Sequence, residues 1–247
     1  RIVLDYDDEE HSDRISVRES FLKANISVHT KHGPRPTVST IIVSYNHSDY
    51  IVEAIESALA QKGNFDHEII ISDDGSSDGT QRLISHYASK YPEKIRDISR
   101  GKNYGVSENY RHCFHEAAGT FIAVLEGDDY WTDPKKNFAQ IEFLQKYRDA
   151  AMVFSRVDLF DMGRNSHRLL ERQEGLGEIL TGADFARDEH LNLIANFSSC
   201  MFRKNIMTNI PTAVYSPRLN EIGLSFYLNR IGKIGFINSV HGVYRLN

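Results

Sequence analysis

With 247 residues, the chain is long enough to bury a substantial core, as one large α/β domain or two small ones. Its 40% hydrophobic and 26% charged residues fit an ordinary globular protein, and a formal net charge of −5 excludes nucleic-acid binding through a general basic field. Two cysteines, Cys113 and Cys200, give neither a disulfide framework nor a metal-ligand spacing, which points to a reducing, cytoplasmic setting.

Residues 1–36 are polar, carry the acidic run Asp5, Asp7, Asp8, Glu9 and Glu10, and close on Gly33-Pro34-Arg35-Pro36, a boundary signal. They read as an amino-terminal extension with a loosely periodic helix over Arg14 to Ala24. The first strand is expected over Val38 to Ser44 from its β-branched content, broken by Tyr45-Asn46-His47. Ile51, Ala54, Ile55, Ala58 and Leu59 keep helical spacing after it. The unit repeats: strand His67 to Ser72, loop Asp73-Asp74-Gly75-Ser76-Ser77-Asp78-Gly79-Thr80, helix to about Tyr91. Alternation of this kind argues for a parallel sheet.

A short third strand near Lys94 to Ile98 leads to Asn103-Tyr104-Gly105, and Ser107 is placed to cap a helix that Gly119 ends. The apolar run Thr120 to Leu125 reads as a buried strand, with Glu126-Gly127-Asp128-Asp129-Tyr130-Trp131 at its carboxyl end. Asp133-Pro134 is expected to start the next helix, with Phe138, Ile141, Phe143 and Leu144 as its buried face. Ala151 to Leu159 makes a strand, and Asp161 to Gly182 has no clear period. A strand over Asn196 to Arg203, a helix over Asn220 to Ile231 and strand-rich residues from Lys233 to Tyr244 close the domain.

Three loops thus stand at the carboxyl ends of three successive strands, and in a right-handed βαβ sheet these ends share one edge, where ligands bind. Three carboxylates in four residues repel one another unless a cation sits between them, and hard oxygen ligands suit Mn²⁺ or Mg²⁺. The same stretch also reads as a solvated acidic turn.

Taken as a set, Val38 to Asn46, Asp73 to Thr80, Asn103-Tyr104-Gly105 and Glu126 to Trp131 resemble the inverting nucleotide-sugar glycosyltransferases of the GT-A fold, usually called family 2. The resemblance covers Pro36 to Ala150 well and the remainder loosely. It implies one α/β domain over 37–247, a Rossmann-like, mixed but mostly parallel sheet flanked by helices. Within it, 37–150 would bind the nucleotide-sugar donor and 151–247 the acceptor.

By the same resemblance, Tyr45 lies against the nucleobase, and Asp74 with Asp73 beside it bonds the base edge, although one of the two would serve only the turn. Asn103 and Gly105 line the nucleotide side, and Lys102 offsets phosphate charge or is simply solvated. Asp128 and Asp129 form the core of the metal-binding motif, with Glu126 standing where the family often has aspartate and ranking below them as a ligand. Glu221, at the start of a helix that ends in Gly232-Lys233-Ile234, takes the place of the general base; it also suits the helix dipole there. Arg245 is the phosphate candidate, ahead of His241, and Trp131 and Tyr130 would stack on a sugar or simply pack the loop, with Trp131 favoured for the acceptor pocket.

The expected activity is a metal-dependent, inverting transfer from a nucleotide diphosphate sugar, UDP-linked, to a hydroxyl on a carbohydrate, lipid-linked or other acceptor. The rival readings are a non-catalytic nucleotide-sugar-binding module and a sugar-phosphate nucleotidyltransferase. The second lacks its Gly-rich basic loop here. No apolar run of about eighteen residues and no signal-peptide pattern is present, so no transmembrane segment is expected. Peripheral attachment at the inner face of a membrane and a homo-oligomer are both compatible with the sequence. The chain begins with Arg1, as a segment of a longer protein would.

Overall fold

The computed structural model describes residues 37–187, 192–215 and 219–246. The expected amino-terminal extension and its helix over Arg14 to Ala24 lie outside these residues, as does Asn247.

Strand β1 (Val38–Ser44) is buried along its whole length, because both faces of the sheet are covered. Ile41 and Val43 point to one core cluster and Val38 and Ile42 to the other, the alternation a pleated strand enforces. Helix α1 (Ile51–Leu59) follows, then β2 (His67–Asp73), α2 (Thr80–Lys90), the three-residue β3 (Ile95–Asp97), α3 (Val106–Glu116) and β4 (Phe121–Glu126). Helices α1 and α2 pack on the face that carries Ile42, Ile69 and Leu125. Helix α3 brings Tyr110, Cys113 and Phe114 to the opposite face.

The chain continues through β5 (Tyr130–Trp131), α4 (Lys136–Lys146), β6 (Ala150–Asp161), β7 (Ser166–Arg168), β8 (Ile179–Leu180) and α5 (Gly182–Arg187). It closes through β9 (Cys200–Arg203), α6 (Lys204–Met207), α7 (Glu221–Ile231) and β10 (Lys233–Leu246). The sheet order is β3-β2-β1-β4-β9-β6-β10-β5, with β7 on β6 and β8 on β10.

Strands β3, β2, β1 and β4 are mutually parallel, and the register Ser44 to Asp73 and Val43 to Glu126 aligns their carboxyl ends. Strand β9 is antiparallel to both β4 and β6, so β6 runs in the direction of β4. Strand β10 is parallel to β6 and therefore ends on the same edge as the acidic motif. Helix α7 precedes β10 and runs back along it, which leaves its amino terminus, Glu221, at that edge too.

The sequence expectations hold for element order and differ at several starts. Ser107 caps nothing: α3 begins at Val106 behind Gly105, whose φ of +90° carries the chain into the helix without a side-chain cap. Helix α4 starts at Lys136, because Asp133 instead heads a turn, accepting from the Lys135 amide on its side chain and from the Lys136 amide on its carbonyl. Its buried face includes Lys136, Asn137 and Gln140, whereas Phe138 is half-buried. Residues Phe197–Ser199 form a turn of 3₁₀ helix, so the expected strand from Asn196 is reduced to β9.

Candidate active site

The β1–α1 and β2–α2 loops are tied to each other before any ligand is considered. Asn46, with φ of +56°, donates its amide to Ser76 Oγ at 2.7 Å and accepts the Ser77 amide at 3.0 Å. The His47 amide donates to Thr80 Oγ1 at 2.9 Å. Asp73 closes the turn, accepting from the amide and hydroxyl of Ser76. Its neighbour Asp74 reaches the next loop, with Oδ1 accepting the Tyr104 amide at 2.8 Å and Oδ2 the Gly105 amide at 2.9 Å. A carboxylate that takes two backbone amides fixes the loop it touches. Gly75 allows this approach: its φ is +77°, and a Cβ there would sit 2.6 Å from the Asn103 nitrogen.

The acidic motif is divided by depth. Glu126 ends β4, and its Oε1 accepts the Tyr110 hydroxyl at 2.6 Å. Asp128 faces His47, whose Nε2 lies 3.7 Å from Oδ2. Asp129 is fully buried; Oδ1 accepts the Arg245 amide at 2.9 Å, and Oδ2 accepts Ser198 Oγ at 2.6 Å and Asn196 Nδ2 at 2.5 Å. Burial, together with the charges of Glu126 and Asp128, raises the Asp129 carboxyl well above its ordinary range. Burial and Glu126 likewise raise the Tyr110 phenol.

Each member of the trio offers one oxygen within 4.8 Å of the others. Three hard oxygen donors this close suit a divalent cation such as Mn²⁺ or Mg²⁺, which would relieve the repulsion that raises Asp129. Glu126 and Asp128, which line the cavity, therefore fit the metal expected from the sequence, whereas Asp129, expected there as a ligand beside Asp128, is buried with both oxygens already accepting hydrogen bonds and backs the pair.

Arg245 does not present an open fork. Its Nη1 donates to the Asp128 carbonyl at 2.5 Å and its Nη2 to Glu53, with the guanidinium between the rings of Tyr50 and Tyr130 at 5.0 and 4.6 Å. The arginine expected to pair with phosphate thus braces the acidic turn. His241 is buried, with Nδ1 against Ser155 Oγ at 2.9 Å and Nε2 3.4 Å from Asp133. Trp131 is also buried, its Nε1 donating to the Ser198 carbonyl at 2.8 Å. It supports the motif from beneath, a correction to its assignment in an acceptor pocket. Lys102 packs its Nζ 5.0 Å from the Tyr104 ring centroid.

One cavity of about 760 Å³ collects most of the sequence candidates: Tyr45, Asp74, Asn103, Gly105, Glu126, Asp128, Glu221 and Arg245 all line it. Asp73 and Asp129 do not; they hold its walls. Tyr45 is 48% exposed at this cavity and has the flat face a base needs for stacking. Glu221 enters from the far side, on α7, whose cap is Asn220 accepting the Gly223 amide at 2.8 Å. Tyr244 lies among the carboxylates: burial, then Glu126, Asp129, Glu221 and Asp128, push its phenol up to about 12.

His47, Asn109, Tyr110, Leu219 and Tyr244 also line the cavity and were not singled out in the sequence. Neither were Asn196 and Ser198 as partners of Asp129. Their partners lie far along the chain, where no short-range pattern reaches.

The 247-residue chain is 41% identical over 120 residues to an uncharacterized protein of Mycobacterium tuberculosis, a match spanning 49% of this chain and 35% of that one. It therefore covers about a third of that relative's length. Among solved structures, Staphylococcus aureus TarS 1-349 in complex with UDP-GlcNAc superposes with a TM-score of 0.66 at 16% identity, over 85% of this chain and 59% of the other. The mannosyltransferase PcManGT from Pyrobaculum calidifontis, in complex with GDP-Man and Mn²⁺, gives 0.60 at 14% identity, over 95% and 66%. The family model described as glycosyl transferase family 2 matches residues 39–210. The chain belongs to glycosyl transferase family 2.

Proposed function

We propose that the chain performs a metal-dependent, inverting glycosyl transfer from a nucleotide diphosphate sugar, UDP-linked, to a hydroxyl acceptor on a carbohydrate, a lipid-linked glycan or a related molecule. The observation that carries this reading is the meeting of Glu221 with Glu126 and Asp128 around one cavity, from segments about a hundred residues apart. The neighbours crystallised with UDP-GlcNAc and with GDP-Man and Mn²⁺ support the ligand class.

In this mechanism Tyr45 stacks the base, and Asp74 with the Asn103–Gly105 loop frames the nucleoside. Asp128 and Glu126 face the diphosphate, with Asp129 behind them; a cation held there, when bound, supplies positive charge to the departing diphosphate. Glu221 takes the proton of the acceptor hydroxyl as that oxygen bonds to the anomeric carbon. The bond from this carbon to the β-phosphate oxygen breaks, and its electron pair leaves with the nucleoside diphosphate. Attack opposite the leaving group inverts the anomeric centre. No helix among the described residues is long and apolar enough to cross a membrane.

The test combines a thermal-shift screen of nucleoside diphosphates and their sugars, with and without Mn²⁺, with turnover of Glu221→Gln. Expected are Mn²⁺-dependent stabilisation and a variant that binds donor but no longer transfers. Stabilisation by no nucleotide, or full turnover in Glu221→Gln, overturns the assignment.

A further inference from the structure

Ser107 joins the donor-binding loop to the segment that carries Glu221. It stands in the first turn of α3, directly behind Gly105, whose amide is held by Asp74. Freed from any capping role, its Oγ accepts the backbone amide of Leu219 at 2.8 Å, across 112 residues of sequence. Leu219 precedes the cap residue Asn220, and Asn220 precedes Glu221. Val106 and Gly105 line the cavity on one side of this bond, and Leu219, Asn220 and Glu221 line it on the other. A continuous chain of contacts therefore runs from Asp74 through the Gly105 amide and the start of α3 to the backbone that carries Glu221.

We infer that Ser107 is a positioning residue for Glu221, setting the amino terminus of α7 against the donor-binding loop so that the carboxylate meets the acceptor hydroxyl at the correct height. This rests on the reading of Glu221 as the general base. The physical ground is that a group acting by proton transfer must be placed within hydrogen-bond reach, and that small displacements of such a group are costly in rate. The Leu219 amide lies one residue before the cap of α7, where its hydrogen bond fixes the entry path of the chain.

The test uses the intact chain with three variants, Ser107→Ala, Ser107→Thr and Glu221→Gln. Turnover is read as UDP release from UDP-N-acetylglucosamine with Mn²⁺. Hydrogen exchange is read at the amides of residues 219–223. Ser107→Ala is expected to lower kcat about tenfold, the scale of one lost orienting hydrogen bond, with the donor KM within about twofold. Exchange at Leu219 should quicken by a similar factor, and Ser107→Thr, which keeps the hydroxyl, should restore both. Added to Glu221→Gln, Ser107→Ala should cost nothing further, because it acts through the missing carboxylate.

Unchanged exchange at Leu219 in Ser107→Ala overturns the inference without any need for turnover. An inactive Glu221→Gln beside a fully active Ser107→Ala overturns it alone, leaving the base assignment standing. Full turnover in Glu221→Gln overturns the base assignment and this inference with it.

Discussion

Replacing Lys136 with methionine probes how the underside of the acidic motif is held. Lys136 is fully buried at the start of α4, its Nζ 3.9 Å from the centroid of the Trp131 ring and 3.4 Å from the Cys200 carbonyl. Burial drives its ammonium from 10.5 down to about 7, against a small upward pull from Cys200. The folded chain therefore binds this proton less readily than the unfolded chain. Stability from the neutral amine is fully present above pH 10.5 and is lost as pH falls toward 7. A fall from 10.5 to about 7 corresponds to about 5 kcal/mol between the two protonation states, most of it developed between pH 9 and pH 6. The Trp131 ring offsets part of that, about 1–2 kcal/mol for a desolvated cation–π contact.

Lys136→Met keeps the apolar stem and removes the charge, which for a buried ion is often neutral or stabilising. Going from pH 9 to pH 6, the variant should gain about 1–3 kcal/mol over the parent. Urea denaturation at pH 6, 7.5 and 9 measures this, provided the slope m is the same for both chains. His241, lowered first by burial and also by Lys136, is relieved of the second cause in the variant, which adds to the gain in the same direction. Parallel stability curves for the two proteins, or a gap that widens toward high pH, would refute the reasoning.

Three further substitutions test the walls of the cavity. Asp74→Asn leaves one acceptor oxygen for the two amides of Tyr104 and Gly105, so UDP affinity in the presence of Mn²⁺ should fall at least tenfold by calorimetry, following a loss of about 1.5–3 kcal/mol. Gly75→Ala forces a side chain into φ of +77° against the Asn103 nitrogen, and should cost about 1–3 kcal/mol in chemical denaturation, with an undisturbed midpoint counting against the close approach. Ser198→Ala removes a donor from Asp129 and the acceptor of the Glu126 amide, so stability should drop by about 1–3 kcal/mol and Mn²⁺ binding should weaken with it. Mn²⁺ titration of a variant that still folds checks the second half.

The parallel half of the sheet was legible because its signals are local. Val38 to Ser44, His67 to Asp73 and Phe121 to Glu126 are short, β-rich runs with turn residues behind them, and the structure buries the apolar members of each on both faces. The helix that carries Glu221 was legible for a similar reason, since its cap Asn220, an acidic first turn and Gly232 fall within thirteen residues; the role proposed for Glu221 came from the family resemblance. What escaped was long-range. Asn196 and Ser198 meet Asp129 across 67 and 69 residues. Nothing in Asn196 to Ser199 announces that role, and their apolar and hydroxyl content reads equally as strand. Ser107 misled for the opposite reason: a residue with a good capping side chain stands in the right place, but the left-handed glycine ahead of it sets the helix start and leaves the hydroxyl for Leu219.

Arg245 shows how the same limit bears on electrostatics. A guanidinium at the end of β10 suggests a phosphate fork, and pairing rules favour it. In the folded chain its two terminal nitrogens are directed to the Asp128 carbonyl and to Glu53, while its own amide goes to Asp129. The strand end, the acidic turn and α1 are thereby locked together, and Asp128 is held facing His47 across the cavity mouth. The consequence is a cavity lined by Asp74, Glu126, Asp128 and Glu221 with its arginine already paired. A nucleoside diphosphate brings further negative charge into that space, so in the proposed reading Glu126 and Asp128 would hold a divalent cation that supplies the compensating charge. Asp129 then contributes by rigidity, since a carboxylate fixed by three donors keeps the turn in place whether or not the cation is bound.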